Sequence, residues 1–219
     1  MKILNLYACL GGNRYKWDEV AKEANIDIHV TAVELDTELA RLYQERFPND
    51  KVIVADAHKY LLDHYKLYDY VWSSPPCPLN SNARYWSSKG GKCNVEYADL
   101  RLYQEVILLE KYFDGKYTVE NVVSYYEPLI RANKRGRHLY WTNFNLPNIL
   151  SNRNIQIGAG KDEVKKLCEF HEYDFYKYGG DQRKDKIARN LVDYEAGKTI
   201  LQTALGIIIE SNNKQLTLY

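Results

Sequence analysis

Along the chain, short apolar runs alternate with stretches whose apolar residues recur at helical spacing. "KILNLYA" is a near-continuous apolar run of buried-strand type that leads into Gly11 and Gly12. "NRYKWDEVAKEA" follows with helical periodicity, and Asn13 stands where an N-cap is expected. The unit recurs: "DIHVTAVELD" precedes "TELARLYQERF", "KVIVAD" precedes "AHKYLLDHY", and "YDYVWSS" precedes, after a long loop, "YADLRLYQEVILLEKYF". "KYTVENV" and "RHLYWTNF" read as two further strands. Strands that alternate with helices pair in parallel with both faces covered, so the pattern predicts an α/β fold with a doubly wound, mostly parallel sheet. Such sheets bind ligands beyond the C-terminal ends of their strands. Gly11, Glu34, Asp56, Cys77 and Glu120 all stand at such ends.

From Phe144 the regularity fails. "NLPNILSNRNIQIGAGKDE", the aromatic "CEFHEYDFYKYGG" and the basic "DQRKDKIAR" predict a small irregular lobe over residues 144–190, with 1–143 and 191–219 forming the main domain. "GKTILQTALGIIIE" predicts a helix that follows Gly197. The basic run has two readings, a solvated face or a phosphate-binding one.

Composition narrows the class. The 219 residues are 45% hydrophobic, enough for one full-sized core. With 30 basic and 29 acidic side chains the net charge is +1, so any nucleic-acid surface has to be local. Cys9, Cys77, Cys93 and Cys168 lie far apart, with no CxxC pair and no secretory pattern at the N-terminus. Neither a disulfide framework nor a metal site is expected, and a cytoplasmic, reducing compartment is. No apolar run reaches membrane-spanning length.

The stretch "SSPPCPLNSNARYW" holds a cysteine between prolines, which fix backbone angles and remove amide donors. A thiol set in so stiff a turn at a strand end is a candidate nucleophile. A glycine turn after the first strand and an acid at the end of the second suit an adenosine-bearing cofactor, and "NLYACLGG" lacks the GxGxxG spacing of a dinucleotide site. In order, "LNLYACLGG", "AVELD", "VADAH", "SSPPCP", "VENV", "NKRGRHLYW" and "GKTILQTAL" resemble the successive motifs of the DNA cytosine-5 methyltransferases. The series spans nearly the whole chain, and the Pro-Cys and Glu-Asn-Val elements are its most diagnostic members. The chain is similar to a small, phage-like member with a reduced target-recognition region in the lobe.

The resemblance implies a class I, Rossmann-like methyltransferase that uses S-adenosylmethionine, needs no metal, and acts on DNA as a monomer. Cys77 is then the thiolate that adds to cytosine C6, and Glu120 the group at N3 that takes up the developing charge. Asn121 holds the proline loop. Arg137 and Arg135 match the last two positions of a Gln-x-Arg-x-Arg pattern whose final arginine contacts cytosine O2, with Asn133 in place of the glutamine. Cofactor contacts fall to Tyr7, Ala8, Cys9, Leu10, Gly11, Gly12, Glu34, Leu35, Asp56, Ala57, Pro75, Lys198 and Thr199. Substrate contacts fall to Pro76, Pro78 and Arg84, the last a candidate partner for a phosphate or the thiolate, on a tail "NSNARYW" that continues as a loop closing over DNA. The stacked target base has to be flipped out or met in single-stranded form.

Several of these residues have ordinary roles open to them. Glu34 can also be read as a helix-start charge, Asp56 as an N-cap, and Arg135 and Arg137 as parts of a basic turn, although the matching order favours the cofactor roles of the two acids. His138 reads as structural. The chain also departs from the family pattern: Tyr7-Ala8-Cys9 replaces Phe-Ala-Gly, and Pro78 replaces glutamine. Lys198 stands where the family commonly has asparagine near the reactive end of the cofactor. An ammonium there pairs with a carboxylate on the transferred carbon, which makes carboxy-S-adenosylmethionine an alternative donor and carboxymethylcytosine its product. The same motifs also admit an RNA cytosine methyltransferase or an inactive DNA-binding relative.

Overall fold

The computed structural model describes residues 1–155, 160 and 162–207. Its strands are β1 (Lys2–Leu6), β2 (His29–Glu34), β3 (Lys51–Val54), β4 (Tyr70–Ser73), β5 (Lys116–Val122), β6 (Asn133–Arg135) and β7 (His138–Thr142). Between and after them run α1 (Trp17–Glu23), α2 (Thr37–Arg46), α3 (Ala57–His64), α4 (Asn82–Lys89), α5 (Arg101–Tyr112), α6 (Glu163–His171), α7 (Lys184–Asn190) and α8 (Tyr194–Ala204).

One seven-stranded sheet has the order β3-β2-β1-β4-β5-β7-β6. The first five strands in that order are parallel, and β7 and β6 close the edge antiparallel. After β3 the chain crosses from one side of β1 to β4 on the other, so the crevice between β1 and β4 is the switch point of the sheet.

Alternation along the strands sorts the core into two layers. Leu4, Leu6, Val71 and Val119 face Leu61 of α3 and Leu102, Val106 and Leu109 of α5. Ile3, Val30, Tyr70 and Trp72 face Trp17 and Val20 of α1 and Ile200 and Leu201 of α8. Phe144, Leu146 and Leu150 also join this second layer, so the start of the 144–190 segment packs with the sheet. The rest of the lobe places Leu167, Phe175, Tyr178 and Ile187 against Leu10, Leu39 and Leu42.

Several elements differ from the sequence expectation. Asn13 caps no helix: α1 begins at Trp17 with Lys16 as its cap residue, because Asn13 is buried and its amide donates to Asn5 Oδ1 at 2.8 Å. The helix expected from Tyr97 begins at Arg101. The tail after the proline loop is a helix, α4, whose Ser81 hydroxyl accepts the Arg84 N–H as an N-cap. The last helix does not follow Gly197 but contains it. It starts at Tyr194 under an Asp193 cap and ends at Ala204, while the expected continuation through residues 208–210 lies outside the described residues. A Cβ at position 197 would come 2.3 Å from the Asn13 carbonyl oxygen, which is why a glycine sits inside a helix here.

Candidate active site

A cavity of about 770 Å³ opens at the C-terminal ends of β1, β2, β4 and β5, within the range typical of small-molecule sites. Tyr7, Ala8, Cys9 and Gly12 line it after β1, Glu34 and Leu35 at β2, Asp56 and Ala57 after β3, Pro75, Pro76, Cys77 and Pro78 after β4, and Glu120 and Asn121 on β5. The lobe closes the other side with Lys186, Arg189 and Asn190 of α7.

The turn after β1 is tight. Tyr7 and Cys9 hold φ of 55° and 47°, a left-handed conformation uncommon for residues other than glycine. Glu34 secures it by accepting the Cys9 N–H on Oε2 at 2.8 Å and the Leu35 and Asp36 N–H groups on Oε1 at 2.9 and 3.0 Å. Burial pushes the Glu34 carboxyl upward against these bonds. A carboxylate has about four lone-pair sites, so three N–H donors leave room for a hydroxyl from a bound nucleoside. Asp36, not Glu34, caps α2, and its other oxygen receives Tyr178 Oη and Gln182 Nε2 of the lobe, each at 2.9 Å. Asp56 both caps α3 through Lys59 N–H and faces the cavity.

The proline loop hangs on one side-chain bond from β5: Asn121 Nδ2 donates to Pro75 O at 2.9 Å. Cys77 ends that loop at the head of a single 3₁₀ turn, Pro78–Asn80. Burial raises the Cys77 thiol above its ordinary range and the charge of Glu120 raises it further, while Lys186 and Arg137 pull it down. In the sequence Lys186 is only one member of a basic run. Its neighbours Arg183 and Arg189 pair with Asp185 and Glu163, whereas Lys186 has no ion pair among the described residues. Glu120 is 7% exposed, with His138 Nε2 3.6 Å from Oε1. His138 also faces the cavity, and burial lowers its basicity below that of a free imidazole. Arg137 lines the cavity and donates to Arg189 O at 3.1 Å.

Six of the residues expected at the site stand elsewhere. Leu10 is fully buried among Leu39, Leu42 and the lobe, and Gly11 turns its open side to the Phe47 and Tyr43 rings, so both lie behind the cavity wall. Arg135 donates to the carbonyls of Leu146 and Pro147, bracing the chain after β7. Arg84, on α4, pairs with Glu96. Lys198 forms an ion pair with Glu19 of α1 at 2.8 Å, which turns it to α1, and neither it nor Thr199 lines the cavity. The carboxylate-bearing donor thereby loses the residue that suggested it. No group of residues suited to a metal ion occurs among the described residues, and no described helix is long and apolar enough to cross a membrane.

No protein-family model matches the chain, and no curated protein matches it. Among solved structures, the Entamoeba histolytica methyltransferase EhMeth aligns with a TM-score of 0.53 and 11% identity, covering 94% of this chain and 98% of that one. A DNMT2 variant from Spodoptera frugiperda is 25% identical over 55% of this chain, with a TM-score of 0.36. This chain covers 35% of that one, about a third of its length. A TehB-like S-adenosylmethionine-dependent methyltransferase from Corynebacterium glutamicum is 15% identical, with a TM-score of 0.32, over 55% of this chain and 54% of that one. The strand order and the likeness to EhMeth show the fold: an α/β Rossmann-like sheet similar to that of this methyltransferase.

Proposed function

We propose that the protein is an S-adenosylmethionine-dependent methyltransferase that modifies C5 of cytosine in DNA. The observation that carries this reading is one cavity in which Cys77, on a proline loop tied to β5 by Asn121, opens toward Glu120 and Arg137 and adjoins a wall made by Tyr7, Glu34 and Asp56. That wall fits the cofactor by its size, by the accepting capacity left on Glu34, and by the apolar flank of Leu35 and Leu39.

When bound, the cofactor supplies an electrophilic methyl group on a sulfonium. Cytosine C5 is too weak a nucleophile to attack it directly. The Cys77 thiolate would add to C6 as a proton relayed from solvent through Glu120 reaches N3, and the electron pair would move to C5, placing it to take the methyl group, whose bond to sulfur breaks with its electron pair left on sulfur. Loss of the C5 proton to a solvent base, expulsion of the thiolate and return of the N3 proton to Glu120 restore the ring. Arg137 balances charge near the base, and Lys186 favours the thiolate from the lobe side. DNA is the substrate that the Pro-Cys, Glu-Asn-Val and Arg-x-Arg series suggests, with the lobe over 144–190 available for target contacts.

The test is a covalent trap. DNA containing 5-fluorocytosine, incubated with S-adenosylmethionine, is expected to form a denaturation-resistant adduct with the native protein and none with Cys77→Ala. In parallel, the product nucleosides from DNA and from tRNA are weighed with S-adenosylmethionine and with its carboxylated form as donors. Methylcytosine in DNA alone supports the reading. Modified cytosine in RNA alone, a carboxymethyl product alone, or no adduct would each overturn it.

A further inference from the structure

Glu105 is a buried carboxylate, 1% exposed, that the proposed reaction does not employ. It lies on α5, and three donors from three other segments converge on it. Tyr7 Oη stands 2.6 Å and His58 Nδ1 2.9 Å from Oε1, and Ser73 Oγ stands 2.6 Å from Oε2. A carboxylate only accepts, so the proton in each bond belongs to the partner. The hydrogen bond to Glu105 correspondingly raises the basicity of His58, and burial followed by the Glu105 charge raises the Tyr7 phenol. The neighbouring guanidinium of Arg101 is committed to Asp99.

Each donor sits beside a part of the cavity wall. Tyr7 is itself wall, Asp56 and Ala57 precede His58, and Ser74 and Pro75 follow Ser73. The turn after β1 needs such a tie, since Tyr7 and Cys9 hold left-handed angles without being glycine. Conformations of that kind persist only where surrounding contacts over-determine them.

We propose that Glu105 is a positioning residue that fixes the cofactor-facing wall, holding the turn after β1, the head of α3 and the loop after β4 on one carboxylate. The inference rests on reading that wall as the S-adenosylmethionine site. Calorimetric titration of S-adenosylmethionine into the native protein, Tyr7→Phe, Ser73→Ala, Glu105→Gln and the Tyr7→Phe/Glu105→Gln double variant tests it, with hydrogen exchange of each unliganded protein alongside. The Kd is expected to rise about fivefold in the first two variants and about tenfold in Glu105→Gln. Turnover at saturating cofactor should stay within about twofold in Ser73→Ala and Glu105→Gln, and Tyr7→Phe should add little to the Kd in the Glu105→Gln background because the two groups act as one unit. Amides of residues 6–9, 57–59 and 73–74 should exchange faster together.

Variants that lose thermal stability yet keep the native Kd make Glu105 an ordinary core bond and overturn the proposal. Fully additive losses overturn it as well. Should the native protein fail to bind S-adenosylmethionine, the cofactor reading falls, and exchange then decides the role of Glu105. Joint loosening of the three segments upholds it as their anchor, and loosening confined to α5 overturns it.

Discussion

On the sheet side of the cavity the functional groups sit at or within a few residues of a strand end, and Glu34, Asp56 and Asn121 are bonded to backbone. Glu34 collects three N–H groups, and Asn121 ties the Cys77 loop to β5. On the lobe side the groups ride on α7, a two-turn helix whose Ile187 and Ala188 are buried and whose Lys186 has no fixed partner among the described residues. The sheet side is pre-set, and the lobe side is charged and adjustable. Chemistry that needs fixed geometry fits the first, and balancing a charge that appears and disappears fits the second.

Glu120→Gln tests the sheet side most strongly. It is expected to lower turnover on cytosine by about 10²-fold or more, the usual scale for removing a positioned acid. The same variant should make the thiol more reactive: without the Glu120 charge, the pH midpoint for alkylation of Cys77, followed by peptide mass spectrometry, should move down toward that of a free cysteine. A midpoint that stays put or rises would mean that the two groups do not face each other.

Gly197→Ala tests the seam between α8 and the turn after β1. Alanine is the better helix former, but its Cβ would meet the Asn13 backbone at 2.3 Å. The expected loss is about 1–3 kcal/mol, read by denaturant melting. A gain in stability would show that the seam is loose.

Lys186→Met tests the lobe side. The alkylation midpoint of Cys77 should move up, the reverse of Glu120→Gln, and kcat/KM should fall about tenfold with the melting temperature unchanged. Lys198→Met should do least. Its pair with Glu19 is a partly exposed surface contact, so stability should change by less than about 1 kcal/mol and turnover with S-adenosylmethionine not at all. A large kinetic effect would return Lys198 to the reaction.

The sequence determined more of the sheet side than of the lobe side, for physical reasons. Parallel strands with helical crossovers bring their C-terminal ends to one edge, so Glu34, Asp56, Cys77 and Glu120 converge wherever the alternation holds. Their chain order and proline punctuation are local and legible. Long cations carry no such constraint. Arg135 and Lys198 stand at motif positions and Arg84 on the tail after the proline loop, but they take partners elsewhere, in the 146–147 carbonyls, Glu19 and Glu96, whereas Lys186, in a run that could equally have been solvated, faces the cavity. Glu105 gave no signal either, because a carboxylate inside an amphipathic helix reads as surface until three distant donors are folded onto it. The order of strands and turns, and with it the strand ends, follows from local pattern along the chain. Which flexible charges point inward and which buried acid ties the wall together depends on partners that meet only when the chain is folded.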